Sequence, residues 1–157
     1  MRESHPAARL VLVGAGFAGD HVDAGIQRSL HAMPQVVVVG RVAEPAPYYA
    51  MMDVLAFPSY REGFPNAVME AAAASVPTVG ARVTGVVDAI RDGTTGLLVE
   101  PRDATGLAEA LARYVADPSL RVRHGAAARA RVAAELSRER VWGLWLDEYR
   151  RLLGLRA

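Results

Sequence analysis

The stretch Asp53-Val54-Leu55-Ala56-Phe57-Pro58-Ser59-Tyr60-Arg61-Glu62-Gly63-Phe64-Pro65-Asn66-Ala67-Val68-Met69-Glu70 reads as strand, loop and helix in immediate succession. Asp53 to Phe57 is a short apolar run, stopped by Pro58, which has no N–H to offer a ladder. Asn66 is an amide side chain suited to cap a helix running to about Ser75. Toward the C-terminus the alternation continues. Thr78 to Gly80 reads as a strand, and Val86 to Arg91 as a short helix closed by Asp92-Gly93. Gly96 to Val99 reads as a strand ended by Pro101. Asp103 caps a helix to Ala116, which Asp117-Pro118 breaks. Two further helices follow, Leu120 to Leu136 and one capped by Ser137. The last carries Val141, Leu144, Trp145, Tyr149 and Leu152 on one face, read as a packing face.

Toward the N-terminus, Leu10 to Val13 and Val36 to Val39 are β-branched runs that predict buried parallel strands. Asp20 to Ala32 predicts a helix with Val22, Ile26, Leu30 and Met33 near one face. Pro45 and Pro47 suit the opening turn of a short helix over Tyr48 to Met52. Strands alternate with helices from start to finish. The expectation is an α/β fold: three layers, a mostly parallel sheet with helices on both faces, and a helical C-terminus. In such sheets ligands bind at the carboxyl ends of the strands. That directs attention to loops 14–19, 40–47, 58–66 and 80–85.

The chain has 157 residues, the size of one domain, expected to span 1–157. Hydrophobic residues make up 52% and charged residues 22%, which excludes a disordered chain. A net charge of +1 gives no push toward nucleic acid. Cysteine is absent, so thiol nucleophiles and thiolate metal sites are excluded. All 18 basic residues are arginine, so no lysine can serve as Schiff base, general base or phosphate clamp. No apolar run approaches the roughly 18 residues of a spanning helix, and Met1 to Pro6 lacks a signal-peptide core. The expected location is the cytoplasm.

Two constellations bear on chemistry. Gly14-Ala15-Gly16-Phe17-Ala18-Gly19 follows a strand and precedes a helix, the setting of a G-x-G-x-x-G phosphate turn. The dinucleotide version needs an acid after the next strand, where Gly40-Arg41 stands instead. Arginine accepts a 2′-phosphate, so an NADP-binding oxidoreductase module stays open beside generic phosphate binding and a purely structural turn. Second, Glu62 and Glu70 bracket the loop and the helix start. If the loop curls, both carboxylates face one crevice and can accept hydrogen bonds from vicinal hydroxyls. The N–H groups of Gly63, Phe64, Asn66 and Ala67 are candidate donors at a helix N-terminus. A helix whose early acid merely offsets its dipole is the plainer reading. Metal binding is not expected: His5, His21, His31 and His124 are scattered and no D-x-D occurs. Ser59 lies in Pro-Ser-Tyr, not in a nucleophile elbow.

Residues 54–71 resemble the signature of group 1 (family 4) retaining glycosyltransferases. The resemblance continues through Gly85-Val86-Val87-Asp88, Asp92 to Val99 and the opening Val11 to Gly16. It implies the GT-B architecture, with this chain as the Rossmann-like C-terminal, donor-binding domain. The loop wording Arg-Glu-Gly-Phe-Pro-Asn is similar to members that build capsule, O-antigen or exopolysaccharide units. The resemblance implies that Glu62 contacts the donor sugar and stabilises developing oxocarbenium charge. Glu70 would bind the ribose hydroxyls. Gly63, Phe64, Pro65, Asn66 and Ala67 would hold the sugar and diphosphate, with Gly14, Gly16 and Phe17 on the diphosphate side. Arg41 and Val42 would line the base pocket. No metal cofactor is implied. The substrate is a nucleotide-sugar, UDP-linked by preference and GDP-linked as the other option. The acceptor is a polysaccharide or lipid-linked glycan, and the parent enzyme is peripheral at the inner membrane face.

The chain also departs from the family pattern. A G-R and K-G pair grips the diphosphate in the family's first strand–helix unit. That unit would precede Leu10, where this sequence has nine residues and no lysine anywhere. The acceptor domain would also lie outside these residues. The expectation is weak nucleotide binding, negligible transfer by this chain alone, and self-association through exposed apolar surface. A non-catalytic nucleotide-binding or partner-docking domain is the third reading.

Overall fold

The computed structural model describes residues 5–14 and 23–155, which fall into two compact units within residues 1–51 and 52–157. In the first unit, β1 (Leu10–Val13) pairs in parallel with β2 (Val36–Gly40), from Leu10 opposite Val36 to Leu12 opposite Val38. The register then slips, so that Val13 faces Gly40. Helix α1 (Ala24–His31) connects the strands, and Asp23 caps it by accepting from the N–H groups of Gly25 and Ile26. The part of the expected helix before Asp23 lies outside the described residues. Helix α2 (Ala46–Met51) opens on Pro45, whose carbonyl accepts from Tyr48. The valine runs predicted strands buried on both faces. Instead Val37 is half exposed, and no described residue of this unit is fully buried. A two-stranded sheet has too little partner surface to cover both of its faces.

In the second unit three parallel strands stand in the order β3-β4-β5: β3 (Leu55–Phe57), β4 (Thr78–Ala81) and β5 (Gly96–Val99). Side chains alternate along a strand, so each strand feeds both faces. Leu55, Phe57 and Leu98 pack with Val68 of α3 (Asn66–Ala73) and with Val86, Ala89 and Ile90 at α4 (Val86–Ala89). Val54, Val79, Leu97 and Val99 pack with Leu107, Ala110, Leu111 and Tyr114 of α5 (Ala104–Ala116). This is the expected layering, with one apolar cluster on each side of the sheet.

Helix α6 (Pro118–Glu135) packs on α3. Asp117-Pro118 ends α5 and also begins α6: Pro118 takes the first helical position and Asp117 accepts from the Leu120 N–H at 2.9 Å. The close approach to α3 needs Gly125, because a Cβ there would overlap the Ser75 carbonyl oxygen. His124, one of the four scattered histidines, is buried on α6, with Nδ1 at 2.8 Å from the hydroxyl of the buried Tyr114. Burial, with Arg123 and Arg113 nearby, lowers its pKa from the usual value. Burial raises that of the Tyr114 hydroxyl.

Helix α7 (Arg138–Leu152) is capped by Ser137, whose Oγ accepts from Arg140. None of its residues is buried: Trp142, Leu144, Trp145, Leu146, Tyr149 and Leu152 are each more than half exposed. Its apolar face therefore adds nothing to the core of this unit. No helix among the described residues is long and apolar enough to cross a membrane.

Candidate functional site

The site is built where β3 ends. Strand pairing fixes Phe57 opposite Gly80, and Pro58 stops the ladder there. The chain then turns through 58–65 before α3 begins, so this loop leaves the sheet at a strand's carboxyl end. Ser59 and Glu62 are half-buried within it. The Ser59 hydroxyl donates to Glu62 Oε1 at 2.6 Å. Its other acceptor within range, the Arg61 carbonyl, is at 3.4 Å. One hydroxyl has one proton, and the charged, nearer oxygen takes it.

Two further contacts hold the loop. The Gly63 carbonyl lies against Gly85 at the start of α4, where a Cβ would overlap its oxygen and stand 2.6 Å from its carbon. Gly85 also has φ 79°, a backbone state that glycine adopts without strain. On the other side, the Arg102 guanidinium stacks 5.4 Å from the centroid of the Tyr60 ring. Arg102 itself has φ 65° in the turn closed by the Asp103 N–H on the Glu100 carbonyl.

The start of α3 differs from expectation. Pro65, not Asn66, is the cap, and no side chain caps the helix. Asn66 is the first helical residue and is exposed. The cap position thus falls on a residue with no side-chain acceptor, which leaves the first-turn N–H groups without a side-chain partner. The Pro65 carbonyl accepts from Val68 and Met69, so the N–H groups of Asn66 and Ala67 precede the first intrahelical bonds. Such donors carry the positive end of the helix dipole and suit an anionic oxygen.

Glu70 is exposed, farther along α3. Gly63 and Phe64 are exposed, and Pro65 is buried. In the unit of residues 1–51, Gly14 has φ 141°, and its N–H donates to the Gly40 carbonyl at 2.9 Å. That donor is therefore committed to the sheet, and a Cβ added at Gly14 would meet no atom of the described residues within 4 Å. Arg41 is exposed and Val42 half-buried after β2. Gly16 and Phe17 lie outside the described residues. Among the described residues, no three His, Asp or Glu side chains come together as a metal site.

Sequence reasoning missed Ser59, Gly85 and Arg102. Ser59 and Gly85 lie in the matched segments 54–71 and 85–88, but their roles as holding contacts, like that of Arg102, are made through space and left no sequence signal.

The family model described as "Glycosyl transferases group 1" matches residues 1–117. The chain belongs to this family. It is 34% identical over 134 residues to the capsular polysaccharide biosynthesis glycosyltransferase CapM of Staphylococcus aureus, covering 85% of this chain and 35% of that protein. The chain thus spans about a third of the length of that relative. Among solved structures it superposes on sucrose-phosphate synthase from Thermosynechococcus elongatus with a TM-score of 0.82 and 31% identity, covering 93% of this chain and 39% of that one. It superposes equally, at TM-score 0.82, on the HepE protein of Anabaena in complex with UDP. There the identity is 21% and the coverage 96% and 42%, a likeness of fold. The fold is that of the Rossmann-like half of GT-B glycosyltransferases. Family membership leaves the oxidoreductase reading without support outside residues 14–19 and Arg41.

Proposed function

We propose that residues 1–157 form one nucleotide-sugar-binding domain of a retaining glycosyltransferase. A UDP-linked hexose or N-acetylhexosamine is the preferred donor, ahead of GDP-linked sugars. The single observation that carries this reading is the pairing of a held carboxylate, Glu62, with the uncapped start of α3 at the end of β3. The chemistry of sugar transfer asks for both. Positive charge develops on the sugar ring as the bond to the diphosphate lengthens, and a fixed carboxylate stabilises it. Negative charge grows on the leaving diphosphate, and helix N–H groups stabilise that.

In this reading Glu62 contacts the sugar, and Glu70 accepts from the ribose hydroxyls. The backbone from Gly63 to Ala67 holds the sugar and diphosphate. Gly14, Gly16 and Phe17 give the diphosphate room, and Arg41 and Val42 line the base. The domain needs no metal. A separate domain of the parent enzyme presents the acceptor, a polysaccharide or lipid-linked glycan at the cytoplasmic membrane face. The isolated chain transfers no sugar at a detectable rate, and it self-associates through the apolar face of α7.

The test is an NMR titration of the chain with UDP, GDP and NADPH. Selective amide shifts near Gly16, Arg41, Glu62 to Ala67 and Glu70 with UDP support the reading; the same pattern with GDP alone reassigns the base. A response to NADPH only overturns the reading in favour of an oxidoreductase module. Silence toward all three overturns the claim that these residues suffice as a binding domain.

A further inference from the structure

We infer that Ser59 is a positioning residue for Glu62: its hydroxyl locks one carboxylate oxygen so that the other is presented to the donor sugar. The inference rests on the reading of Glu62 given above. A glutamate on a loop has three side-chain torsions to order, and an unheld carboxylate samples many of them. Here Ser59 stands two residues beyond the last β3 residue, on the same short loop as Glu62. Its Oγ reaches Glu62 Oε1 at 2.6 Å, a short, charge-assisted bond.

Contacts meet this segment on both sides of Glu62: the Arg102 guanidinium lies 5.4 Å from the centroid of the exposed Tyr60 ring, and the Gly63 carbonyl lies against Gly85. The bond occupies Oε1 only. Oε2 keeps its acceptor sites for a sugar hydroxyl. Ser59 thus acts on the substrate through Glu62, without touching it.

The experiment compares the 157-residue chain with Ser59→Ala, Ser59→Thr and Glu62→Gln variants. The first readout is the set of Glu62 side-chain proton couplings in the absence of ligand. The expected result is one dominant rotamer in the parent chain, averaging in S59A, and return to one rotamer in S59T. Amides outside 58–63 should not move. The second readout is the affinity for UDP-glucose relative to UDP. S59A is expected to lower UDP-glucose affinity roughly five- to tenfold at unchanged UDP affinity, and S59T to restore it. A general folding defect would instead weaken both ligands together. A single Glu62 rotamer in S59A, or an unchanged ratio beside a large loss in E62Q, overturns the inference about Ser59 and leaves the donor-site reading standing. An unchanged ratio in E62Q overturns the donor-site reading of Glu62, and the sugar role of Ser59 falls with it.

Discussion

Replacing Gly85 by alanine separates backbone strain from steric displacement, because the same unit contains its own control. Gly93 has φ 69°, close to the 79° of Gly85, but a Cβ on Gly93 meets nothing within 4 Å. Gly93→Ala therefore carries only the left-handed penalty, about 1–2 kcal/mol. Gly85→Ala carries that penalty and more. Its Cβ would overlap the Gly63 carbonyl oxygen, and its 2.6 Å from the carbonyl carbon must open toward the 3.4 Å of ordinary contact. Backbone rather than a flexible side chain must move, at a further cost of roughly 1–3 kcal/mol. The total is about 2–5 kcal/mol. For a chain of this size that is a fall of roughly 4–20 °C in Tm, against about 2–8 °C for G93A. Thermal unfolding followed by circular dichroism measures both. The amide spectrum adds a second signature: G85A should shift residues 59–64 and G93A should not. Equal Tm values for the two variants, with the 59–64 amides unmoved in G85A, would refute the claim that Gly85 seats the Glu62 loop.

Two other outcomes follow from the structure. His124 has a folded-state pKa lowered by burial, so the unfolded chain binds the extra proton first. Its contribution to stability is complete above the unfolded value near 6.5 and is lost as pH falls toward the folded value. Tm should therefore drop between pH 7 and 5, and His124→Gln, less stable at neutral pH, should show a flatter slope there. Parallel slopes for the two proteins would refute this. For α7, sedimentation of the chain should show association that Trp145→Glu with Leu152→Glu abolishes; a parent chain that is monomeric at high concentration would refute the proposed self-association.

The strands were legible because β-branched runs and their glycine or proline stops are local signals. The same local signals misjudged burial. Val36 to Val39 are apolar enough for a core, yet Val37 is half exposed; the Trp142 to Leu152 face, read as packing toward a core or another domain, is not part of this chain's core. Apolar periodicity states that a face prefers cover; it does not state what supplies it. His124 carried no local signal of burial: its buried partner, Tyr114, stands ten residues earlier on another helix. Asn66 misled because amide side chains are good caps, while the helix begins at Asn66 itself and leaves the cap position to Pro65.

At the site, the sequence displayed the groups that meet ligand and hid the groups that hold them. Glu62 and Glu70 are chemically conspicuous and fall in a motif with fixed spacing. Ser59, three residues from Glu62, looked inert because it lacked a nucleophile's setting, and a serine that only donates a proton needs no setting. Its bond to Oε1 and the seat that Gly85 makes for Gly63 act on the same short segment from opposite ends. Either can be lost without touching a ligand, and each then releases the same carboxylate. Their effects on UDP-glucose affinity should therefore combine less than additively in a Ser59→Ala, Gly85→Ala double variant, since residues sharing one partner couple. Full additivity would mean that the two contacts control different things, and that Glu62 is not the point where they meet.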